Sequence, residues 1–151
     1  TLVPDAIDVI TSNSGWDTIR NKSFLKEVVS EFKNNGIRTS LFIDPNLKFI
    51  EAAKETGVDR IELYTESYAI NFEKGNFKEL NNYIESSLLA NKLQLGINAG
   101  HDLNLQNIQY FTTHMPFLDE VSIGHAIISE SLYLGIENVV NLYLQKMNWC
   151  F

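Results

Sequence analysis

Cysteine is all but missing from this 151-residue chain: Cys150, beside the C-terminus, is the single one. That excludes an internal disulfide framework and any cysteine-built metal site, and it fits a free thiol in a reducing cytoplasm. No apolar run approaches the roughly 20 residues that cross a bilayer. The opening Thr1-Leu2-Val3-Pro4 lacks the basic-then-apolar order of a secretion signal, and it carries no initiating Met. An apolar start ending in proline reads as a chain that begins within or just after a strand. Basic charge is also short, with 12 Lys and Arg against 19 Asp and Glu and a formal net charge of −7. Neither sign gathers into a run, so nucleic acid and anionic membrane are poor partners. A bound phosphate would have to be held locally, by backbone N–H groups, helix ends or a few side chains. There is no Gly-x-Gly-x-x-Gly fingerprint, P-loop, serine nucleophile elbow or metal-ligand spacing.

The composition itself is that of a globular domain, 44% hydrophobic and 21% charged. No low-complexity linker divides it, so residues 1–151 read as a single α/β domain in which helices and strands alternate. After a polar loop from Asp5 to Asn21, Phe24, Leu25, Val28, Val29 and Phe32 fall on one helical face, closed by Asn34-Asn35-Gly36. Strands are expected over Ile37–Ile43, Val58–Tyr64, Leu93–Asn98 and Glu120–Ile123. Asp44-Pro45 should cap the helix between the first two, and a long loop should run from the second strand through Gly75. A helix carrying Leu80, Tyr83, Ile84 and Leu88 follows, then a short one with Leu105, Ile108 and Phe111. The chain closes on a helical stretch broken near Gly135. Strands separated by single helices run parallel with right-handed crossovers. Four strands and a strand end could belong to an open doubly wound sheet or to a closed barrel, and periodicity does not choose between them.

Two strand exits repeat one pattern, Gly96-Ile97-Asn98-Ala99-Gly100-His101 and Val121-Ser122-Ile123-Gly124-His125. Glycine lets backbone N–H groups approach a ligand, and the helix N-terminus expected after each turn attracts an anion. If these are the last two strands of a barrel, they stand where such barrels often bind phosphate. His101 can also exchange a proton near neutral pH, or simply cap a helix. His114, in a polar stretch between helix and strand, is expected to be exposed and inert. In Arg60-Ile61-Glu62-Leu63-Tyr64 the side chains alternate, so Glu62 points away from the apolar face, where a carboxylate must be paired or used on a ligand. Arg60 is one available partner. The hydroxyl-rich stretch Thr11 to Asp17 could hydrogen-bond a sugar or a phosphate.

Five segments, taken in order and spacing, resemble the pyridoxine 5′-phosphate synthase family: Thr1-Leu2-Val3-Pro4, Ser40-Leu41-Phe42-Ile43-Asp44, Ile61-Glu62-Leu63-Tyr64-Thr65 with Tyr68-Ala69, Asn98-Ala99-Gly100-His101, and Ile123-Gly124-His125-Ala126-Ile127-Ile128. The resemblance runs from Thr1 to about Met147. It implies a (β/α)8 TIM barrel, of which this chain would be the C-terminal portion, from the end of strand 4 through strand 8 and the terminal helices. It implies condensation of 3-amino-2-oxopropyl phosphate with 1-deoxy-D-xylulose 5-phosphate to pyridoxine 5′-phosphate, phosphate and water, without metal or organic cofactor. The family also implies a homo-oligomer, commonly an octamer. By motif, His101 matches the proton donor and Glu62 the transition-state-stabilising carboxylate. Asp102, Gly124 and His125 match contacts to the amino-ketone phosphate, and Thr11 one to the deoxyxylulose phosphate.

The chain departs from the family in places. Many members have Thr-Thr-Glu-Gly-Gly-Leu-Asp where it has Thr11-Ser12-Asn13-Ser14-Gly15-Trp16-Asp17, His-Thr-Gly at Tyr64-Thr65-Glu66, and glycine at Asp102. A branch from Bacteroidetes-like bacteria carries similar variants, so these read as subfamily divergence. The family's opening strands, with Asn-x-Asp-His, His-x-Arg and a catalytic Glu, would lie before Thr1. The chain alone is therefore expected to be inactive and unstable. A non-catalytic phosphate-ligand-binding barrel is the main alternative, and a structural α/β assembly protein a third. A binding module would not need both His101 and Glu62.

Overall fold

Short runs of alternating polar and apolar residues build the sheet in this computed structural model, which describes residues 1–4 and 13–147; Thr11 and Cys150 lie outside them. The elements are α1 (Lys22–Asn34), β1 (Ser40–Ile43), α2 (Leu47–Glu55), β2 (Arg60–Tyr64), α3 (Glu66–Glu73), α4 (Leu80–Lys92), β3 (Gly96–Gly100), α5 (Ile108–His114), β4 (Glu120–Ser122), α6 (His125–Leu134) and α7 (Ile136–Met147), with a 3₁₀ turn at Phe77–Glu79. All three strand pairs are parallel and the order is β1-β2-β3-β4. Leu2 adds a bridge to Leu41 on the outer side of β1, its N–H donating to the Ser40 carbonyl at 2.7 Å. The four strands and strand end read from the sequence are therefore present.

The strand order agrees with one of the two readings that periodicity left open. A doubly wound sheet reverses its strand order at a switch point. Here the order never reverses, so crossovers of one hand set every connecting helix on one face, as in a stretch of (β/α) barrel wall. That face carries Leu41, Ile43, Ile61, Leu63, Ile97 and Ala99, all buried against Leu25, Val29, Ile50, Tyr83, Ile108 and Phe111 from the helices. The register aligns Ser40, Arg60 and Gly96 on the opposite face, then Phe42, Glu62, Asn98 and Glu120, then Tyr64, Gly100 and Ser122. This second face is polar and concave. Neighbouring strands lie about 4.8 Å apart, yet Arg38, just before β1, reaches Glu120 on β4 at 2.9 Å. The sheet must curl for that pair to form.

Several boundaries differ from the sequence expectation, each for a local reason. β1 begins at Ser40 because the Ile37 N–H is already committed to the Phe32 carbonyl at 3.0 Å and that of Gly36 to Lys33 at 2.9 Å. These two bonds form a Schellman closure of α1, with Gly36 at φ +73. On α1 only Leu25 and Val29 are fully buried; Phe24 turns outward to pack on Trp16, and Phe32 is exposed too. Asp44 does not cap α2. Asn46 does, its side chain accepting from the Lys48 N–H. The expected long loop after β2 contains α3 instead, whose Tyr68 and Ala69 are buried while Phe72 packs beside them. Two helical turns are too few for the periodicity to stand out. β3 starts at Gly96 rather than Leu93, since Leu93, Gln94 and Leu95 still donate to carbonyls of α4.

Candidate active site

Glycines on β3 make room for the two charged side chains of β2. A Cβ at Gly96 would stand 2.7 Å from the Arg60 guanidinium, and one at Gly100 would stand 2.4 Å from Glu62 Oε1. Arg60 and Glu62 therefore lie across the concave face without a neighbouring side chain in the way. They do not pair with each other. Arg60 donates from Nε to Asn98 at 2.9 Å and sets Nη2 2.8 Å from Asp119, while Glu62, only 7% exposed, accepts from the Thr1 hydroxyl at 2.6 Å. The buried carboxylate at 62 is thus left for the space above the sheet.

Beyond β3 the chain takes an uncommon path, with His101 at φ +85 and Asp102 at φ +57. Two consecutive left-handed non-glycine residues are unfavourable and persist only where their surroundings hold them. The buried Thr65 donates its hydroxyl to the Gly100 carbonyl at 2.7 Å and also to that of His101. From the other side, buried Asn107 donates to the Asp102 carbonyl at 3.0 Å. The His101 ring meets Tyr64 edge-on with centroids 4.9 Å apart, and its Nδ1 lies 3.0 Å from Asp102 Oδ2. Burial pushes the Tyr64 hydroxyl up from its ordinary range, and the carboxylates of Glu66, Asp102 and Asp44 push the same way.

The expected helix N-terminus follows only one of the two glycine-histidine turns. α6 begins at His125 with Gly124 as its N-cap, and its first residues line the site. After His101 a turn intervenes and α5 starts only at Ile108. Both turns nevertheless open on the same space. Glu62, His101, Asp102, Gly124 and His125 all line one cavity of about 500 Å³, with Phe42 at its floor and Ser122 between the turns. Thr11, the remaining residue expected here, lies outside the described residues. His114 ends α5 well away from this wall, exposed and stacked on Tyr110 at 4.1 Å. Among the described residues no three His, Cys, Asp or Glu side chains gather as a metal-ligand set, and no helix is long and apolar enough to cross a membrane.

Sequence reasoning missed four contributors. Ile70 and Glu73 overhang the cavity from α3, and the loop expected there gave them no orientation. Thr65 and Asn107 act through the turn they clamp. Asn104 and Asn107, three residues apart, cap each other's backbone through Asn104 N–H to Asn107 Oδ1 at 2.9 Å, a spacing that could have marked the turn. Asp44, read as a cap, is instead half-buried at the end of β1. Desolvation raises its carboxyl above the usual range, partly offset by the Gly15 N–H it accepts. A Cβ at Gly15 would fall 2.4 Å from the backbone of Ile43, so only glycine permits that approach.

The chain is similar to known proteins over nearly its whole length. A family described as pyridoxal phosphate biosynthesis protein PdxJ matches residues 1–149. Curated pyridoxine 5′-phosphate synthases from Flavobacterium johnsoniae and Christiangramia forsetii are each 62% identical over 147 residues, which is 97% of this chain and 62% of theirs. The synthase from Porphyromonas gingivalis is 52% identical over the same length. The chain thus spans 62% of the length of these curated relatives.

Proposed function

We propose a function from the premise that this chain belongs to the PdxJ family of pyridoxal phosphate biosynthesis proteins. In this reading it is the C-terminal part of a (β/α)8 barrel, from the end of strand 4 through strand 8, and serves a pyridoxine 5′-phosphate synthase. The reaction joins 3-amino-2-oxopropyl phosphate and 1-deoxy-D-xylulose 5-phosphate into pyridoxine 5′-phosphate, releasing phosphate and water. One observation carries it: the carboxylate of Glu62 and the imidazoles of His101 and His125 open on a single cavity.

Each group has a task that its surroundings suit. The amino group of one substrate adds to the carbonyl of the other, and the resulting hydroxyl leaves as water only after it gains a proton. His101 supplies that proton from the ring nitrogen facing the cavity, and takes one back in a later step. Glu62 offers a fixed negative charge to the cationic iminium that forms, in a wall where few waters compete. Gly124 and His125 hold the amino-ketone phosphate at the start of α6, where backbone N–H groups point outward. Such a local cradle explains how a chain of net charge −7 takes a dianionic group. Thr11 contacts the deoxyxylulose phosphate.

The general base and further phosphate contacts belong, in this reading, to the opening strands of the family, so turnover is assigned to the full-length synthase. It works as a homo-oligomer in the cytoplasm, and the unburied apolar side chains of α6, such as Leu132 at 82% exposure, support self-association. Purified full-length protein should form pyridoxine 5′-phosphate from the two phosphates. His101→Asn should lower kcat by about 10²-fold to 10⁴-fold, and Glu62→Gln should lower kcat more than it changes KM. Full activity in both variants, or turnover by the 151-residue chain alone, would contradict the reading.

A further inference from the structure

We infer that Asp102 is a positioning residue for His101 and that its side chain does not contact phosphate; this rests on the reading of His101 as the proton donor. Four observations lead there. His101 Nδ1 is buried, and Asp102 Oδ2 at 3.0 Å is the charged group against it, although the contact is too bent for a straight hydrogen bond. No other partner reaches that nitrogen among the described residues. The two residues are locked as a unit, because both are left-handed and both carbonyls are clamped, His101 by Thr65 and Asp102 by Asn107. Finally, a carboxylate in the cavity wall would repel a phosphate dianion rather than bind it.

The chemistry follows from which nitrogen is buried. A carboxylate beside Nδ1 keeps the proton there in the neutral ring, so that Nε2 is the nitrogen left to the cavity. In the protonated ring the same carboxylate faces the positive charge, and Nε2–H is the proton available to the leaving oxygen. When that proton goes to substrate, Nδ1–H stays, and Nε2 is ready to accept the next proton. Tyr64 packs edge-on against the ring, with centroids 4.9 Å apart. Among the described residues the other ionisable side chains that line the cavity with this pair are Glu62 from β2, Glu73 from α3 and His125 from α6, while Glu66 and Asp44 act on Tyr64 beside the ring. None of these forms a hydrogen bond or ion pair to Nδ1.

Asp102 can be replaced without disturbing the backbone, since glycine and asparagine both accept a positive φ. The test uses full-length synthase with ¹⁵N-labelled histidine, comparing the native protein with Asp102→Gly and Asp102→Asn. In the native protein the His101 shifts should report the Nδ1–H tautomer. Asp102→Gly should shift the ring toward Nε2–H and lower kcat by about 10-fold to 100-fold, with KM for the amino-ketone phosphate changed by less than about 3-fold. Asp102→Asn, whose amide oxygen would place a weaker negative end beside Nδ1–H, should keep part of the tautomer preference and recover part of kcat. An unchanged tautomer in Asp102→Gly overturns the inference, as does a rise in KM at constant kcat, which would make Asp102 a substrate contact. A tautomer change in a protein with no synthase turnover would uphold the coupling and remove the assigned reaction instead.

Discussion

Glu62 shows how one side chain depends on what its neighbour lacks. Its position on β2 follows from period-two alternation, and its freedom to lie over the sheet follows from Gly100 on β3. Gly100→Ala would force the carboxylate aside, because the new methyl would meet Oε1 at 2.4 Å. The expected result is a loss of kcat on the order of 10²-fold, with the melting temperature lowered only slightly, measured by steady-state kinetics and thermal unfolding of the full-length synthase. Unaltered kinetics would mean that the carboxylate has room to spare. The inward direction of Glu62 was legible in five consecutive residues. Its partner was not: Arg60, adjacent on the same face, binds Asp119 and Asn98 instead. Alternation says which residues share a face, and long side chains then choose among partners that only tertiary structure brings near.

At the scale of elements, the strands and most helices could be read because apolar residues recur along them at one period. The exceptions lie at junctions. Ile37 looked like strand and serves as the closing residue of α1; Asp44 looked like a cap and sits two residues ahead of Asn46, which caps α2. The left-handed pair at His101 and Asp102 left only the Asn104 and Asn107 spacing as a trace in the sequence, since the other clamp that holds it, Thr65, comes from a distant segment. Asp59 ties three junctions together, accepting from Lys33 Nζ at the end of α1 at 2.7 Å and from the Thr39 N–H and hydroxyl before β1 at 2.8 and 2.9 Å. Burial alone would raise its carboxyl, but these donors prevail and hold it down to about 2. A depressed carboxylate stabilises the fold above its unfolded value of about 3.9. That contribution fades as pH falls from there through about 2. Asp59→Asn should therefore cost about 1 kcal/mol at pH 6, an amount kept small by the partly exposed Lys33. The gap between variant and native protein should shrink below pH 3, as read from urea midpoints. A gap that stays constant with pH would show that the donors act on Asp59 only sterically.

For the whole molecule, the sequential parallel order and the Arg38–Glu120 contact across four strands describe a curled wall with one apolar and one polar face. A fully buried parallel sheet would be apolar on both. Polar residues on the concave face suit the proposed reading, in which ligands meet the sheet at its strand exits. The alternating strand-helix pattern was enough to foresee parallel strands joined by helices, but not which face of the sheet the helices would cover. Curvature was beyond it, because a bend in the sheet changes which strands can touch without changing the periodicity of any of them.

The central claim is that His101 and His125, on separate turns, touch one ligand beside Glu62. Full-length synthase labelled in its histidine side chains and titrated with 3-amino-2-oxopropyl phosphate tests it most directly, with His114, stacked on Tyr110 away from the cavity, as the internal control. The account predicts that the His101 and His125 resonances move together along one saturation curve, that His114 stays still, and that Glu62→Gln alters the bound shifts of both. Separate curves for the two histidines, or movement of only one of them, would contradict it.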